Sequence, residues 1–274
     1  MEQHPITSDA EIVHYDRLAQ EAADYDEFVG RLRRVQMSGT TWATPMALYL
    51  DTQFDSVSQE DIYRHVSDLV SGGTFLQIGG AGSAACKAIL GGAARAILVT
   101  PSQGELDLTL RVATELGIAD QFDGMVAFGE KLPIETGAVD VVITEGCLHH
   151  MDTMAALTEA KRVLRTGGKF GAFDPWHARL YDIGIRVFGK RDRGVDCRPL
   201  DAGRIAPLAI VFSDSEIRLH GALFRYLLIA ANKLGIKVSR ERVHSLILRD
   251  DRLTKRYEWL RRNGSTVAVI ATKV

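Results

Sequence analysis

The feature that most constrains the fold is a regular alternation of short apolar runs and helical segments between about residues 75 and 175. Each run is apolar throughout, as expected of a strand that is covered by helices on both faces. Such an alternation is typical of βαβ units and a parallel sheet. The runs predict strands at residues 74–78, 95–100, 124–128, 139–144 and 169–173. The segments between them predict helices at residues 84–90, 104–116 and 154–164, the last of them ended by the glycines at 167 and 168.

The segments that precede and follow this core are expected to cover it. Residues 9–35 are amphipathic, which indicates helices with one buried face. The sequence therefore predicts an N-terminal helical cap or lid over residues 1–58. A Rossmann-like domain then follows over residues 59–274, with a cap insertion at about 176–212.

The C-terminal part completes the predicted architecture. Ser213 and Glu216 have the spacing of a capping box and predict a helix over residues 213–234. The apolar run 266–272 predicts an antiparallel edge strand near the C-terminus. The predicted fold class is thus α/β, with a doubly wound, Rossmann-like and mostly parallel sheet plus a helical cap.

Composition excludes several classes of function. The chain has 274 residues, of which 46% are apolar and 25% charged, as in ordinary globular proteins. A formal net charge of −2 creates no field that would hold nucleic acid, and no apolar stretch reaches the ~18 residues of a membrane-spanning helix. Cys86, Cys147 and Cys197 show no metal-type pairing, so we expect no metal. The N-terminus has no secretory signal, which predicts a cytoplasmic protein.

The sharpest local motif is an apolar strand that runs into a turn of small residues and then into a helix. Its residues are Phe75, Leu76, Gln77, Ile78, Gly79, Gly80, Ala81, Gly82 and Ser83. Small residues let a backbone approach a ligand closely, and the helix amides beyond the turn can receive a polar or anionic group. The alternative is a tight turn that needs small residues only for packing.

Around this motif the sequence resembles the class I S-adenosylmethionine-dependent methyltransferases over roughly residues 59–175. Matching segments follow one another in order at residues 76–83, 99–106, 129–133, 139–151 and 159–169. The resemblance implies a Rossmann-like fold, S-adenosylmethionine as cofactor, and methyl transfer. It also implies that the turns after the strands face the cofactor.

Acidic positions of this family are altered in the chain. The acid that orients the cofactor's amino-acid end is replaced by Gln77, the ribose-binding acid by Thr100, and the acid that meets the adenine amino group by Phe128. Nearby groups can compensate, because Glu105 and Glu130 lie close in sequence and Phe128 can pack against adenine. The alternative is that the fold survives while cofactor binding has decayed.

The expected cofactor-binding residues follow from these matches and departures. They are Gln77, Gly79, Gly80, Gly82, Ser83, Thr100, Pro101, Glu105, Phe128, Gly129, Glu130 and Glu145.

The resemblance also selects candidate catalytic residues. His149 and His150 lie in the turn after the fourth strand, and Asp174, Trp176 and His177 lie just beyond the fifth. A general base assists methyl transfer when the acceptor atom carries a proton. His150 is the predicted base and His177 the second candidate, the alternative for each being a packing or helix-start role.

The leading hypothesis is transfer of a methyl group from S-adenosylmethionine to an O, N or C atom of a small organic acceptor, in specialised metabolism. The alternative is a methyltransferase-fold protein that does not transfer methyl, such as a cyclase-type catalyst or a ligand-binding regulator. A nicotinamide dehydrogenase is disfavoured because the G-x-G-x-x-G spacing is missing. Trp42, Tyr49 and Trp176 are candidates for an acceptor pocket, and a homodimer is the candidate assembly.

Overall fold

The computed structural model describes residues 9–21, 25–37, 56–178, 183 and 198–274, and the structural statements below concern these residues. They contain one seven-stranded sheet. Its strands are β1 (Thr74–Ile78), β2 (Arg95–Thr100), β3 (Phe122–Val126), β4 (Val139–Glu145), β5 (Leu164–Pro175), β6 (Asp214–His220) and β7 (Thr266–Thr272). The strand order is β3-β2-β1-β4-β5-β7-β6. The first five are mutually parallel, and β7 runs antiparallel to both β5 and β6.

Helices cover both faces of the sheet. They are α1 (Asp9–Glu21), α2 (Tyr25–Met37), α3 (Ser56–Val70), α4 (Ser83–Leu90), α5 (Gln103–Glu115), α6 (Thr153–Val163), α7 (Ala202–Ile205), α8 (Pro207–Val211), α9 (Phe224–Lys233), α10 (Arg240–Arg256) and α11 (Glu258–Arg261). Short 3₁₀ turns lie at Ala119–Gln121 and Leu148–His150. No helix in these described stretches is long and apolar enough to cross a membrane.

The alternation of side chains along each strand builds two cores. In β1, Phe75 faces a core formed with α2, α3, α4 and α5, whereas Leu76 and Ile78 face a core formed with α6 and α8. All three side chains are buried. This burial on both faces explains why β1 is largely apolar, and the sheet confirms the predicted doubly wound, mostly parallel fold.

The region predicted as one helix over residues 213–234 is instead strand β6 followed by helix α9. Ser213 does not cap a helix, because the chain after it pairs with β7 from Asp214 to His220. Glu216 and Arg218 form an ion pair of 2.7 Å at the two-residue spacing of a strand. Pairing with β7 therefore overrides the local capping signal. As a result, β6 takes the edge of the sheet and the antiparallel strand β7 lies one position inside it.

The glycines at 167 and 168 do not end helix α6, contrary to the sequence prediction. The helix ends at Val163, and Leu164 is already extended with φ −65° and ψ 138°. Gly167, with φ +77°, lies within β5 near the irregularity in its pairing with β4. Its left-handed backbone thus serves a strand irregularity rather than a helix end.

The structure describes only part of the predicted N-terminal cap and of the predicted insertion. Helix α1 contacts α5, and α2 contacts α4, so both cover the same side of the sheet. Trp42 and Tyr49 lie outside the described residues, as does most of the predicted insertion at 176–212. The division into a cap over residues 1–58 and a core over 59–274 stays a prediction.

A buried histidine between two aspartates joins the C-terminal helices to the sheet. His220 at the end of β6 pairs through Nε2 with Asp61 of α3 and through Nδ1 with Asp251 of α10, each at 3.0 Å. Burial alone would lower the pKa of His220, but its hydrogen bonds to Asp251 and Asp61 outweigh burial and raise it. Arg218 and Lys255 contact the same carboxylates at 3.5 and 2.8 Å. This cluster ties β6, α3 and α10 together.

Candidate functional site

The site is placed by the topology of the sheet. The chain moves outward from β1 through β2 to β3, then returns to place β4 on the other side of β1. In open α/β sheets such a reversal opens a crevice at the carboxyl ends of the strands, where ligands bind. The residues that the sequence selected lie at the ends of β1, β2, β3, β4 and β5 and in the turns that follow. The fold therefore brings them to the carboxyl ends of the strands.

The turn between β1 and α4 requires glycine at several positions. Gly79, Gly80 and Gly82 have φ values of +76°, +73° and +67°. A Cβ atom on Gly79 would lie 2.8 Å from Sγ of Cys147, and one on Gly82 would lie 2.2 Å from a methyl carbon of Thr109. Backbone conformation and close packing both exclude larger side chains here. This tight turn of small residues, Gly79 to Ser83, is hereafter called the glycine loop.

Gln77 holds this loop from within. Its side chain is buried, its Nε2 donates to the carbonyl oxygen of Gly79 at 2.9 Å, and its Oε1 accepts from the backbone amide of Ala85 at 2.9 Å. Gln77 is one of the expected cofactor-binding residues, and that role stays a prediction, because the hydrogen bonds of its side chain in this structure run to the loop and to the first turn of α4. Gln77 positions the loop.

Carboxylates collect at the end of β2. Thr100 donates its hydroxyl to Glu105 Oε2 at 2.6 Å, with Pro101 in the turn between β2 and α5. Burial, offset in part by the hydrogen bond from Thr100 and reinforced by Asp16, raises the pKa of Glu105. Asp16 reaches this point from α1 and accepts from the backbone amide of Gly104 at 2.9 Å. The structure thus places acidic groups beside Thr100, where the family acid is missing.

The turn after β3 presents an aromatic side chain. β3 spans Phe122–Val126, two residues earlier than predicted, so Phe128 lies beyond the strand and is 36% exposed. Gly129 is buried, and a Cβ there would lie 2.8 Å from both Ile78 and Met151. Glu130 accepts from the backbone amide of Asp152 at 3.1 Å, and burial raises its pKa. Phe128 is therefore available at this edge, whereas Glu130 is engaged with the start of α6.

At the end of β4, Glu145 is held by neutral donors. Its Oε1 accepts from Tyr63 at 2.6 Å and from Gln59 Nε2 at 2.8 Å, both on α3. Ser83, the first residue of α4, donates to Oε2 at 3.4 Å. Burial and then the charge of Glu145 raise the pKa of Tyr63 well above its usual value, so this phenol stays a donor. Sequence reasoning selected Glu145 and Ser83 but gave no signal for Tyr63 or Gln59.

His150 faces the N-terminal helix α1. Its Nδ1 lies 3.4 Å from a carboxylate oxygen of Glu11, and its Nε2 lies 3.5 Å from the hydroxyl of Tyr15. Burial, followed by the neighbouring His149 and Arg204, lowers the pKa of His150 to about 3. The imidazole is therefore neutral at physiological pH, the form that can accept a proton.

His149 forms a buried pair with Asp174 at the end of β5. Oδ1 of Asp174 lies 2.6 Å from His149 Nδ1 and accepts from its backbone amide at 3.1 Å. Arg204 donates to the backbone carbonyl of His149 at 2.6 Å. The ring centres of His149 and His150 are 3.9 Å apart. His149 thus joins the turn after β4 to the end of β5.

His177 lies just beyond β5 and is exposed. Its backbone amide donates to the carbonyl of Leu200 at 2.8 Å, beside the partly buried Trp176, whose own bridge is also to Leu200. Its catalytic role stays a prediction.

Comparison with known proteins gives a family match and a fold match. Residues 76–172 match the family model described as "Methyltransferase domain". No curated protein sequence matches the chain at a significant level. Among solved structures, geranyl diphosphate C-methyltransferase from Streptomyces coelicolor A3(2) is 18% identical with a TM-score of 0.56, over 80% of this chain and 79% of that one. Phosphoethanolamine N-methyltransferase 2 of Haemonchus contortus is 17% identical with a TM-score of 0.52, over 78% of this chain and 51% of that one.

At these identities the structural likeness concerns the fold, and the family match adds the domain type. The matched segment runs from β1 into β5 and contains the glycine loop, the turn after β3 and both histidines of the turn after β4. Residues 76–172 are thus similar in sequence to a methyltransferase domain, and they lie within a fold that the solved methyltransferase structures share.

Proposed function

We propose that this protein transfers the methyl group of S-adenosylmethionine to an O, N or C atom of a small organic acceptor. The observation that carries the proposal is the glycine loop, whose left-handed backbone at Gly79, Gly80 and Gly82 lies at the carboxyl end of β1, where the strand order reverses. A cofactor with an adenosine and an amino-acid end needs this kind of close backbone approach at a strand edge.

The residues at this edge suit the parts of that cofactor. Gly79, Gly80 and Gly82 provide backbone against its central part, and Glu105 lies where a ribose hydroxyl would be bound. Phe128 provides an exposed aromatic face for adenine. When bound, S-adenosylmethionine supplies a methyl group on a positively charged sulfonium.

His150 is the proposed base. An acceptor oxygen or nitrogen becomes strongly acidic as it gains a methyl group, so even an imidazole of low pKa can take its proton. Glu11 lies near Nδ1 and Tyr15 near Nε2, which places α1 over this part of the site. We infer that α1 shields the reacting atoms from water.

The acceptor is proposed to be a small molecule. Structural relatives named for geranyl diphosphate and phosphoethanolamine act on compounds of that size. A place in specialised metabolism, a cytoplasmic location and a homodimer belong to the same proposal.

A second candidate is a methyltransferase-fold protein that binds ligand without transferring methyl. The observation that favours it is that Gln77, which stands in the family's acid position, is uncharged and engaged within the loop.

The test of catalysis is formation of S-adenosylhomocysteine from S-adenosylmethionine with a panel of acceptors, including geranyl diphosphate, phosphoethanolamine, phenols and amines. We expect turnover with at least one class. With that acceptor, His150→Ala should lower kcat by about 100-fold or more, the usual contribution of general base catalysis.

His244→Ala is the matched control, because His244 lies on α10 and should leave turnover unchanged. Equal turnover by His150→Ala and wild type would overturn the role of His150. Cofactor binding without turnover on any acceptor would favour the second candidate.

A further inference from the structure

The amino-acid end of the proposed cofactor carries an ammonium group, which a protein normally meets with a carboxylate. The position that supplies this acid in the family holds Gln77 here. Both polar atoms of Gln77 are within 2.9 Å of backbone partners in the loop and the first turn of α4. Position 77 therefore brings no charge to the ligand, and both of its polar groups are engaged in holding the loop.

A different carboxylate lies at the same level of the sheet. Strands β1 and β4 are parallel neighbours with Gln77 opposite Ile143, so Glu145 lies two residues further along β4, level with Gly79. The contact of 3.4 Å between Ser83 and Oε2 of Glu145 spans from β4 to the far end of the glycine loop. Glu145 is thus beside the loop and on the strand adjacent to β1.

The described hydrogen-bond donors to the carboxylate of Glu145 are uncharged groups. Its short hydrogen bonds, from Tyr63 and Gln59, both end on Oε1 and both come from neutral groups. Within the described stretches, no lysine, arginine or histidine forms an ion pair with Glu145. Among the described residues, the hydrogen bond of Oε2 is the long one from Ser83. A partly buried carboxylate in this condition favours a bound cation, because charge without a counter-charge is costly away from water.

We propose that Glu145 binds the ammonium group of the cofactor's amino-acid end, in place of the acid that Gln77 has replaced. The proposal rests on the proposed function, since it assigns one contact of the same cofactor site. Tyr63 and Gln59 are positioning residues that fix Oε1 and leave Oε2 toward the ligand. The carboxylate has moved from β1 to β4, and the side chain at position 77 has become part of the scaffold.

The test compares the binding of three ligands by calorimetry. S-adenosylhomocysteine has both the ammonium and the carboxylate, its decarboxylated analogue keeps only the ammonium, and 5′-methylthioadenosine has neither. We expect Glu145→Gln to weaken the binding of the first two ligands by about 10- to 100-fold, the range for hydrogen bonds to charged groups. The affinity for 5′-methylthioadenosine should stay unchanged. Glu60→Gln, one residue from Gln59 on α3 and paired with Arg64, should change none of the three.

Tyr63→Phe gives a second, independent variant. It keeps the charge of Glu145 but removes a positioning donor. It should therefore weaken the binding of the same two ligands, by a smaller factor than Glu145→Gln does. A thermal melt of each variant checks that it is folded.

Two results would overturn the proposal while leaving the proposed function in place. One is that Glu145→Gln lowers the affinity for all three ligands by the same factor, or lowers none of the three affinities. The other is a wild-type protein that binds S-adenosylhomocysteine no more tightly than 5′-methylthioadenosine. If the wild type binds none of the three, the proposed function itself fails.

Discussion

Gly79→Val is expected to abolish binding of S-adenosylhomocysteine, with a loss of at least about 100-fold in affinity. The residue has φ +76°, which a β-branched side chain resists, and its Cβ would lie 2.8 Å from Sγ and 2.9 Å from Cβ of Cys147. Relief of that collision must displace either the loop or the turn after β4, and both border the proposed site. The measurement is a calorimetric titration, with a thermal melt to show that the variant is folded.

Gly137→Val is the matched control for this change. Gly137 has φ +74°, but nothing lies within 4 Å of a Cβ placed there. It precedes β4, at the opposite end of this strand from the site. It should carry a similar backbone strain, of about 1–3 kcal/mol, without loss of binding. Should Gly79→Val not fold, Gly79→Ala presents the same Cβ with less bulk. Normal binding by a folded Gly79 variant would show that the loop does not contact the cofactor.

His220→Leu is expected to destabilise the fold by about 3 kcal/mol, because it removes two hydrogen bonds to carboxylates and leaves Asp61 and Asp251 with Arg218 and Lys255 alone among their described cations. In a chain of this size the melting temperature should fall by on the order of 10 °C. His65→Leu is the control, since His65 on the same helix as Asp61 contacts the backbone carbonyl of Ala271 at 3.0 Å and should cost less.

The difference between wild type and His220→Leu should depend on pH. The folded pKa of His220 is raised above the unfolded value of about 6.5, since its bonds to the aspartates outweigh burial. Its contribution is therefore fully present below about pH 6.5 and is lost as the pH rises through the folded pKa. Chemical unfolding of both proteins across this range measures the difference. A difference that stays constant or grows with pH would contradict the role assigned to His220.

Local sequence signals predicted the buried part of the fold. The bounds 74–78 and 95–100 agree with β1 and β2, because each is a short, largely apolar run bounded by turn residues. β6 was missed because its residues are largely exposed and polar, so its pattern carries no burial signal. What makes Asp214–His220 a strand is pairing with β7, some 50 residues later in the chain. Such a long-range partner cannot be read from the segment itself.

In the site, too, features set by neighbouring residues could be predicted and long-range contacts could not. The glycine loop could be predicted because its geometry depends on adjacent residues. By contrast, Glu11 and Tyr15 reach His150 across more than a hundred residues, and Asp16 reaches Gly104 across 88. For Gln77, the sequence shows the polar atoms but not their hydrogen bonds to Gly79 and Ala85. Long-range contacts and internal satisfaction of polar groups thus limit prediction of the site.

The most direct test of the central claim is a calorimetric titration of the wild-type protein with S-adenosylhomocysteine, with NAD as the comparison ligand. We expect saturable binding of one S-adenosylhomocysteine per chain in the micromolar range, and no binding of NAD, because the glycine loop lacks the dinucleotide spacing. Absence of heat and of any thermal shift at millimolar S-adenosylhomocysteine would contradict that claim, and would mean that the fold has been kept without its cofactor.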